Sequence, residues 1–162
     1  MSDFYNKIYN IKYPYIIAEI GSNHNGDMNL AKKLIDAAIE AGADCIKFQS
    51  WTKETIFSKK KYEDNFFLKD DYRKRNDTNL EKIVDKYSIS SEQLMELYNY
   101  CTNKNIDCTS TPFSNSEADF LIKSLDVPFL KVASMDLDNI PYLEYLSKKN
   151  KTIVLSTGLS TL

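Results

Sequence analysis

Short runs rich in β-branched and aromatic residues alternate along this chain with longer stretches whose apolar residues recur at helical spacing. A parallel sheet with crossover helices leaves that pattern in sequence. Five runs read as strands: Tyr15 to Ile20, Asp44 to Gln49, Ile106 to Thr111, Phe129 to Ala133 and Thr152 to Ser156. Between the first two, Asn25 or Asp27 can cap a helix carrying Leu30, Leu34, Ala38 and Ala41, which Gly42 ends. Helical spacing returns at Leu80 to Tyr87 and from Ser91, read as a cap with Glu92 and Gln93 in its first turn, through Leu94, Leu97 and Cys101. Ser114 or Ser116 can cap the next helix, with Ala118, Leu121, Ile122 and Leu125 on one side, and a last one runs from about Pro141 to Lys148. The charged stretch from Ser50 to about Asn79 is long for a plain connection.

Composition narrows this picture. With 162 residues, 43% of them apolar, the chain can bury one sizeable core, so residues 1–162 read as a single domain or part of one. The 21 basic and 23 acidic residues nearly cancel, and no basic stretch tracks a phosphate backbone, which argues against nucleic acid. Neither a leader peptide nor a membrane-length apolar run is visible, so a soluble, cytoplasmic protein is expected. Cys45, Cys101 and Cys108 lack metal-type spacing and read as reduced structural thiols.

In parallel α/β folds catalytic groups gather at the C-terminal ends of strands. Here every strand ends on polar residues: Glu19, then Lys47 and Gln49, Ser110 and Thr111, Lys131 and Ser134, and Ser156 and Thr157. A lysine between Ile46 and Phe48, or between Leu130 and Val132, is costly in a buried strand unless it meets an anion. Two such lysines with neighbouring hydroxyls suit a phosphate or carboxylate, and Glu19 and Asp136 supply acid/base carboxylates.

Five segments, in order and spacing, resemble the N-acylneuraminate (sialic acid) synthase family: Ile17 to Gly26, Ile46 to Gln49, Ser110 to Ser114, Lys131 to Ser134 and Leu155 to Gly158. The resemblance covers the chain from about Tyr15 onward. It implies a partial TIM-type (β/α) barrel of about five parallel strands with flanking helices, because a full barrel has eight strands and about 250 residues. It also implies condensation of phosphoenolpyruvate with an N-acetylmannosamine-type sugar, with release of phosphate.

Carried over by position, Lys47, Thr111, Lys131, Ser134 and Ser156 would hold phosphoenolpyruvate, and Glu19 and Asp136 would be the catalytic carboxylates. Asp136 stands where the family commonly has Glu. Asn23, His24 and Gln49 would lie on the sugar side. His24, the only histidine, reads as a residue that orders its loop or positions substrate rather than as a metal ligand.

The resemblance implies a divalent metal, manganese or magnesium, in the complete enzyme, with ligands outside this sequence, and a homodimer. The later strands and a C-terminal antifreeze-like domain are not found in the sequence. The isolated chain is therefore expected to be inactive and marginal in folding. Rival readings are a 3-deoxy-ulosonate-phosphate synthase, a legionaminic or pseudaminic acid synthase, and a non-catalytic phosphate-binding half-barrel. Trp51, Phe57, Tyr62, Phe66 and Phe67 in the long insertion could form a lid or a subunit contact, or anchor the insertion to the barrel wall. Lys59 to Lys61 and Arg73 to Arg75 read as solvated surface.

Overall fold

A computed structural model of the chain describes residues 3–67, 70–158 and 160. The five expected strands are present, each trimmed at its ends. They are β1 (Ile17–Gly21), β2 (Cys45–Gln49), β5 (Asp107–Thr111), β6 (Leu130–Val132) and β7 (Ile153–Leu155). They do not form one continuous ladder. β1, β2 and β5 make one parallel sheet in that order, and β6 and β7 make a second parallel pair. β6 lies beside β5, where Thr109 Oγ1 donates to the Phe129 carbonyl at 2.7 Å.

Side chains alternate across each strand. Ile20, Ile46, Phe48, Cys108, Leu130 and Val132 take the outer face and pack under the helices in the main core. Those helices are α2 (Met28–Glu40), α6 (Ser91–Asn103), α7 (Asn115–Lys123) and α8 (Ile140–Ser147). The opposite, inner face carries Glu19, Lys47 and Thr109 at one level, by the register of β1 on β2 and β2 on β5. Buried strands here are therefore apolar on one face only, and the lysines occupy the other.

Local chemistry fixes the helix ends. Asp27 caps α2 by accepting from the Asn29 and Leu30 amides, and Ser114 caps α7 through the Glu117 amide. At α6 the expectation was off by one residue. Ser90, not Ser91, is the cap, and Gln93 reaches back to the Ser90 amide to complete a capping box.

Two features were not anticipated. The polar and aromatic start forms a helix, α1 (Asp3–Asn10), held by tertiary packing: Phe4 lies against Phe129, ring centres 4.6 Å apart, and against Tyr15. With Cys45, these rings form an apolar floor at the N-terminal end of the strands. The long insertion also has its own order. It contains α3 (Lys53–Ile56), α4 (Lys59–Asp64) and a short antiparallel pair, β3 (Phe66–Phe67) with β4 (Asp70–Asp71), before α5 (Leu80–Tyr87). Trp51, Tyr72, Leu80 and Val84 are buried there as a satellite core that takes in Phe57, Tyr62 and Phe67, so these aromatics anchor the insertion. Leu68 and Lys69 lie outside the described residues. Lys59, Lys74 and Arg73 are on the surface, as expected.

All three cysteines are free and buried, and burial pushes the Cys45 thiol up to about 12, so it stays an unreactive thiol.

Candidate active site

The inner face of the strands becomes polar just above the Phe4–Phe129 floor. Lys47 is buried, with 5% of its surface exposed, and forms an ion pair with Glu19 on the neighbouring strand. Its ammonium lies 3.4 Å from Thr111 Oγ1, which is itself buried. On the second pair of strands, the Lys131 ammonium donates to Ser156 Oγ and to the Val132 carbonyl. Ser156 follows Val154, the register partner of Lys131, by two residues and so shares its face.

These two clusters see each other. Burial holds the Lys131 ammonium below the usual lysine range, the charge of Lys47 lowers it further, and Glu19 partly offsets both. Two cations against one carboxylate leave the inner wall with an excess of positive charge, lined by hydroxyls. Such a surface is complementary in charge to an anion with two charged ends.

The strand exits are tied together. Ser50, one residue past β2, donates both its amide and its hydroxyl to the Thr111 carbonyl, at 3.1 and 3.2 Å. A β-bulge between Glu19 and Gly21 ends the regular pairing of β1, and Gly21 takes φ +54. A Cβ there would meet Glu19 Oε1 at 3.3 Å and the Gln49 amide at 3.7 Å, so the glycine lets those two side chains approach one another.

Of the residues singled out from sequence, Glu19, Lys47, Thr111, Lys131 and Ser156 converge in this way. Gln49 sits beside them at the mouth and accepts from Trp51 Nε1 at 3.0 Å. Asn23 and Ser134 are exposed at the exits of β1 and β6, and Ser134 lies 3.8 Å from where a Gly158 Cβ would be. Two residues point elsewhere. The His24 ring is 1% exposed beside Phe48, and its Nδ1 accepts from the Gly26 amide at 3.0 Å. Burial lowers its pKa, against a bond to the Gly21 backbone, so it orders its loop as a neutral ring. Asp136 accepts from Asn139 at 3.3 Å, keeps Oδ2 buried without a partner, and its charge acts on Tyr142 of α8.

Glu117 escaped the sequence reading. Its Oε2 accepts from the Phe113 amide at 2.6 Å, fixing the turn that follows Thr111, while Oε1 is buried and unpartnered. Burial raises its pKa against several hydrogen bonds. The Ser114-to-Glu117 spacing, that of a capping box, could have found it. Among the described residues no three His, Cys, Asp or Glu side chains gather as metal ligands, and no helix is long and apolar enough to cross a membrane.

Residues 34–162 match the NeuB family. The chain belongs to that family. This NeuB-family chain is 40% identical over 152 residues to the N,N'-diacetyllegionaminic acid synthase of Campylobacter jejuni, covering 94% of the chain and 44% of that protein. It is 38% identical to the N-acetylneuraminate-9-phosphate synthase of Mus musculus, over 93% of the chain and 41% of that protein. The crystal structure of the N-acetylneuraminic acid synthetase of Leptospira borgpetersenii, in complex with citrate, superposes with a TM-score of 0.74 at 32% identity, over 91% of the chain and 45% of that structure. The chain thus spans under half the length of these relatives.

Proposed function

We propose that the protein containing this NeuB-family span condenses phosphoenolpyruvate with the aldehyde of an N-acetylmannosamine-type sugar. Its five strands are successive staves of a TIM-type (β/α) barrel. The observation that carries the proposal is the convergence of Lys47 and Lys131, from separately paired strands, on one inner wall with Thr111 and Ser156. Phosphoenolpyruvate carries a phosphate and a carboxylate, and two lysines with two hydroxyls meet both. Relatives named for N,N'-diacetyllegionaminic, N-acetylneuraminic 9-phosphate and pseudaminic acid synthesis support a nonulosonic acid as product.

In the reaction, C3 of phosphoenolpyruvate bonds to the aldehyde carbon and the aldehyde oxygen takes a proton. Water then adds to the cationic C2, losing a proton, and phosphate leaves by C–O cleavage. Lys47 and Lys131 hold the anion. Glu19, paired to Lys47 and half exposed, is the carboxylate placed to move these protons. Asp136 serves as the second carboxylate only if its turn swings toward the wall, and Ser134 closes the phosphate side with it. Asn23 and Gln49 meet the sugar, and His24 acts through its loop. A divalent metal, manganese or magnesium, belongs to the proposal for the whole protein, a cytoplasmic homodimer. The described residues do not fit as its ligands, and no step is routed through it.

Calorimetric titration of the chain with phosphoenolpyruvate tests the reading. Saturable binding that disappears in Lys47→Ala and Lys131→Ala is expected, followed by phosphate release from the whole protein with manganese and N-acetylmannosamine. No binding, or binding indifferent to both lysines, would sink it.

A further inference from the structure

The chain leaves β5 through Thr111, Pro112 and Phe113, and the backbone of each is gripped by a side chain from a different element. Ser50, just past β2, holds the Thr111 carbonyl with its hydroxyl at 3.2 Å. Tyr142 of α8 donates its hydroxyl to the Pro112 carbonyl at 3.0 Å. Glu117 of α7 accepts from the Phe113 amide at 2.6 Å. Proline has no amide to give a ladder, and Thr111, Pro112 and Tyr142 are buried from water. Side chains therefore supply the partners that fix this exit.

Glu117 does more than finish its own helix. It is the third residue of α7, where a capping box would bring the carboxylate back to the amide of the cap, Ser114; it reaches past that amide to Phe113. Tyr142 comes from the helix that follows β6, yet the carbonyl it grips follows β5. Both belong to helices that pack on the outer face of the strands, away from the lysine wall.

We propose that Glu117 and Tyr142 are positioning residues of the anion site. Through the Phe113 amide and the Pro112 carbonyl they fix the β5 exit, and so aim the Thr111 hydroxyl at the ligand beside Lys47. Thr111 is the last residue of β5, where strand pairing gives way to the turn, and its hydroxyl is 3.4 Å from the Lys47 ammonium. A displacement of about 1 Å in a binding group can cost on the order of a hundredfold. The role rests on the proposed function, because Thr111 has to meet phosphoenolpyruvate for its aim to count.

A double-mutant cycle read by calorimetric titration of the chain with phosphoenolpyruvate tests this. Glu117→Ala should weaken binding about tenfold, as loss of a hydrogen bond to a charged ligand does, and Tyr142→Phe should weaken it about threefold or more. In a Thr111→Val background, which removes the hydroxyl at nearly constant volume, each change should shift the affinity by less than about twofold. Glu117→Gln keeps an acceptor for the Phe113 amide and should restore binding to within about twofold of the unaltered chain. Asp27→Ala removes the cap of α2 and costs stability elsewhere, so it should leave the affinity alone.

The inference is overturned if Glu117→Ala binds like the unaltered chain, if its loss is as large with Thr111→Val as without it, or if Glu117→Gln is as weak as Glu117→Ala. Should Glu117→Ala not fold, Tyr142→Phe with and without Thr111→Val decides by the same comparison. If the unaltered chain binds phosphoenolpyruvate and the cycle is additive, only the positioning role fails; if it does not bind, the proposed function fails with it.

Discussion

Lys131 and Lys47 oppose one another across the inner face of the strands. The Lys131 ammonium is held below its usual range first by burial and then by the Lys47 charge, with Glu19 as the partial offset. Holding both ammonium groups on one wall makes that wall attractive to anions. A site that binds a dianion has to keep such a pair ready before the ligand arrives.

Removing that tension should be visible in stability. The folded-state pKa of Lys131 is lowered, so its protonated form is a penalty present below the folded pKa and relieved as pH rises toward the ordinary lysine value. Lys131→Met should therefore raise the melting temperature at pH 7, and the gain should shrink as pH rises toward the ordinary lysine value. The same variant should lose the rise in melting temperature that phosphoenolpyruvate gives the unaltered chain. Thermal denaturation with and without the ligand checks both parts.

Glu117 has the opposite linkage. Its folded pKa is raised by burial, so its stabilising contribution is complete below the ordinary glutamate pKa and is lost as pH rises through the folded value. The urea midpoint of Glu117→Gln, which keeps an acceptor for the Phe113 amide, should therefore gain on that of the unaltered chain as pH rises from acid to neutral. Glu117→Ala, which strands the amide, should cost about 1–3 kcal/mol at every pH.

The cap of α6 separates two adjacent serines. Ser90→Ala should cost about 1 kcal/mol, whereas Ser91→Ala should change stability by a few tenths. Equal losses from the two variants would contradict the observed capping box.

The loop after β1 rests on α5. Gly26 takes φ +77, and a Cβ there would stand 2.3 Å from the Lys86 carbonyl oxygen, a backbone atom that cannot move aside cheaply. Gly26→Ala should destabilise the chain by about 2 kcal/mol or more, since strain and overlap act together. Hydrogen exchange should show the protection of α5 falling with it.

Much of this was legible in sequence because polarity inside a β-rich run is costly and therefore informative. Lys47 and Lys131 stood out by that reasoning, the choice of Thr111 over Ser110 and of Ser156 over Thr157 came with the family resemblance, and the structure brings the four together with Glu19. Asp136 was equally polar and equally close to a strand end, yet the turn after β6 carries it toward Asn139 and Tyr142. Strand position fixes direction within the strand; beyond its end, turn geometry takes over. The helix of Asp3–Asn10 stayed hidden for a different reason. Tyr, Phe and Asn are indifferent helix formers, and what stabilises the segment is Phe4 against Phe129, more than a hundred residues away. The insertion's aromatics read as a lid, a subunit contact or an anchor, and it took the packing of Phe57, Tyr62 and Phe67 on Trp51, Tyr72, Leu80 and Val84 to make them anchors.

The strands stop being one sheet between β5 and β6, where the Thr109 hydroxyl to the Phe129 carbonyl spans a boundary that no backbone ladder crosses among the described residues. Lys47 rides on one raft and Lys131 on the other. A ligand gripping both is then more than cargo: it is a rivet through the seam, and its arrival should stiffen the joint between two halves that share a core but, among the described residues, no backbone ladder.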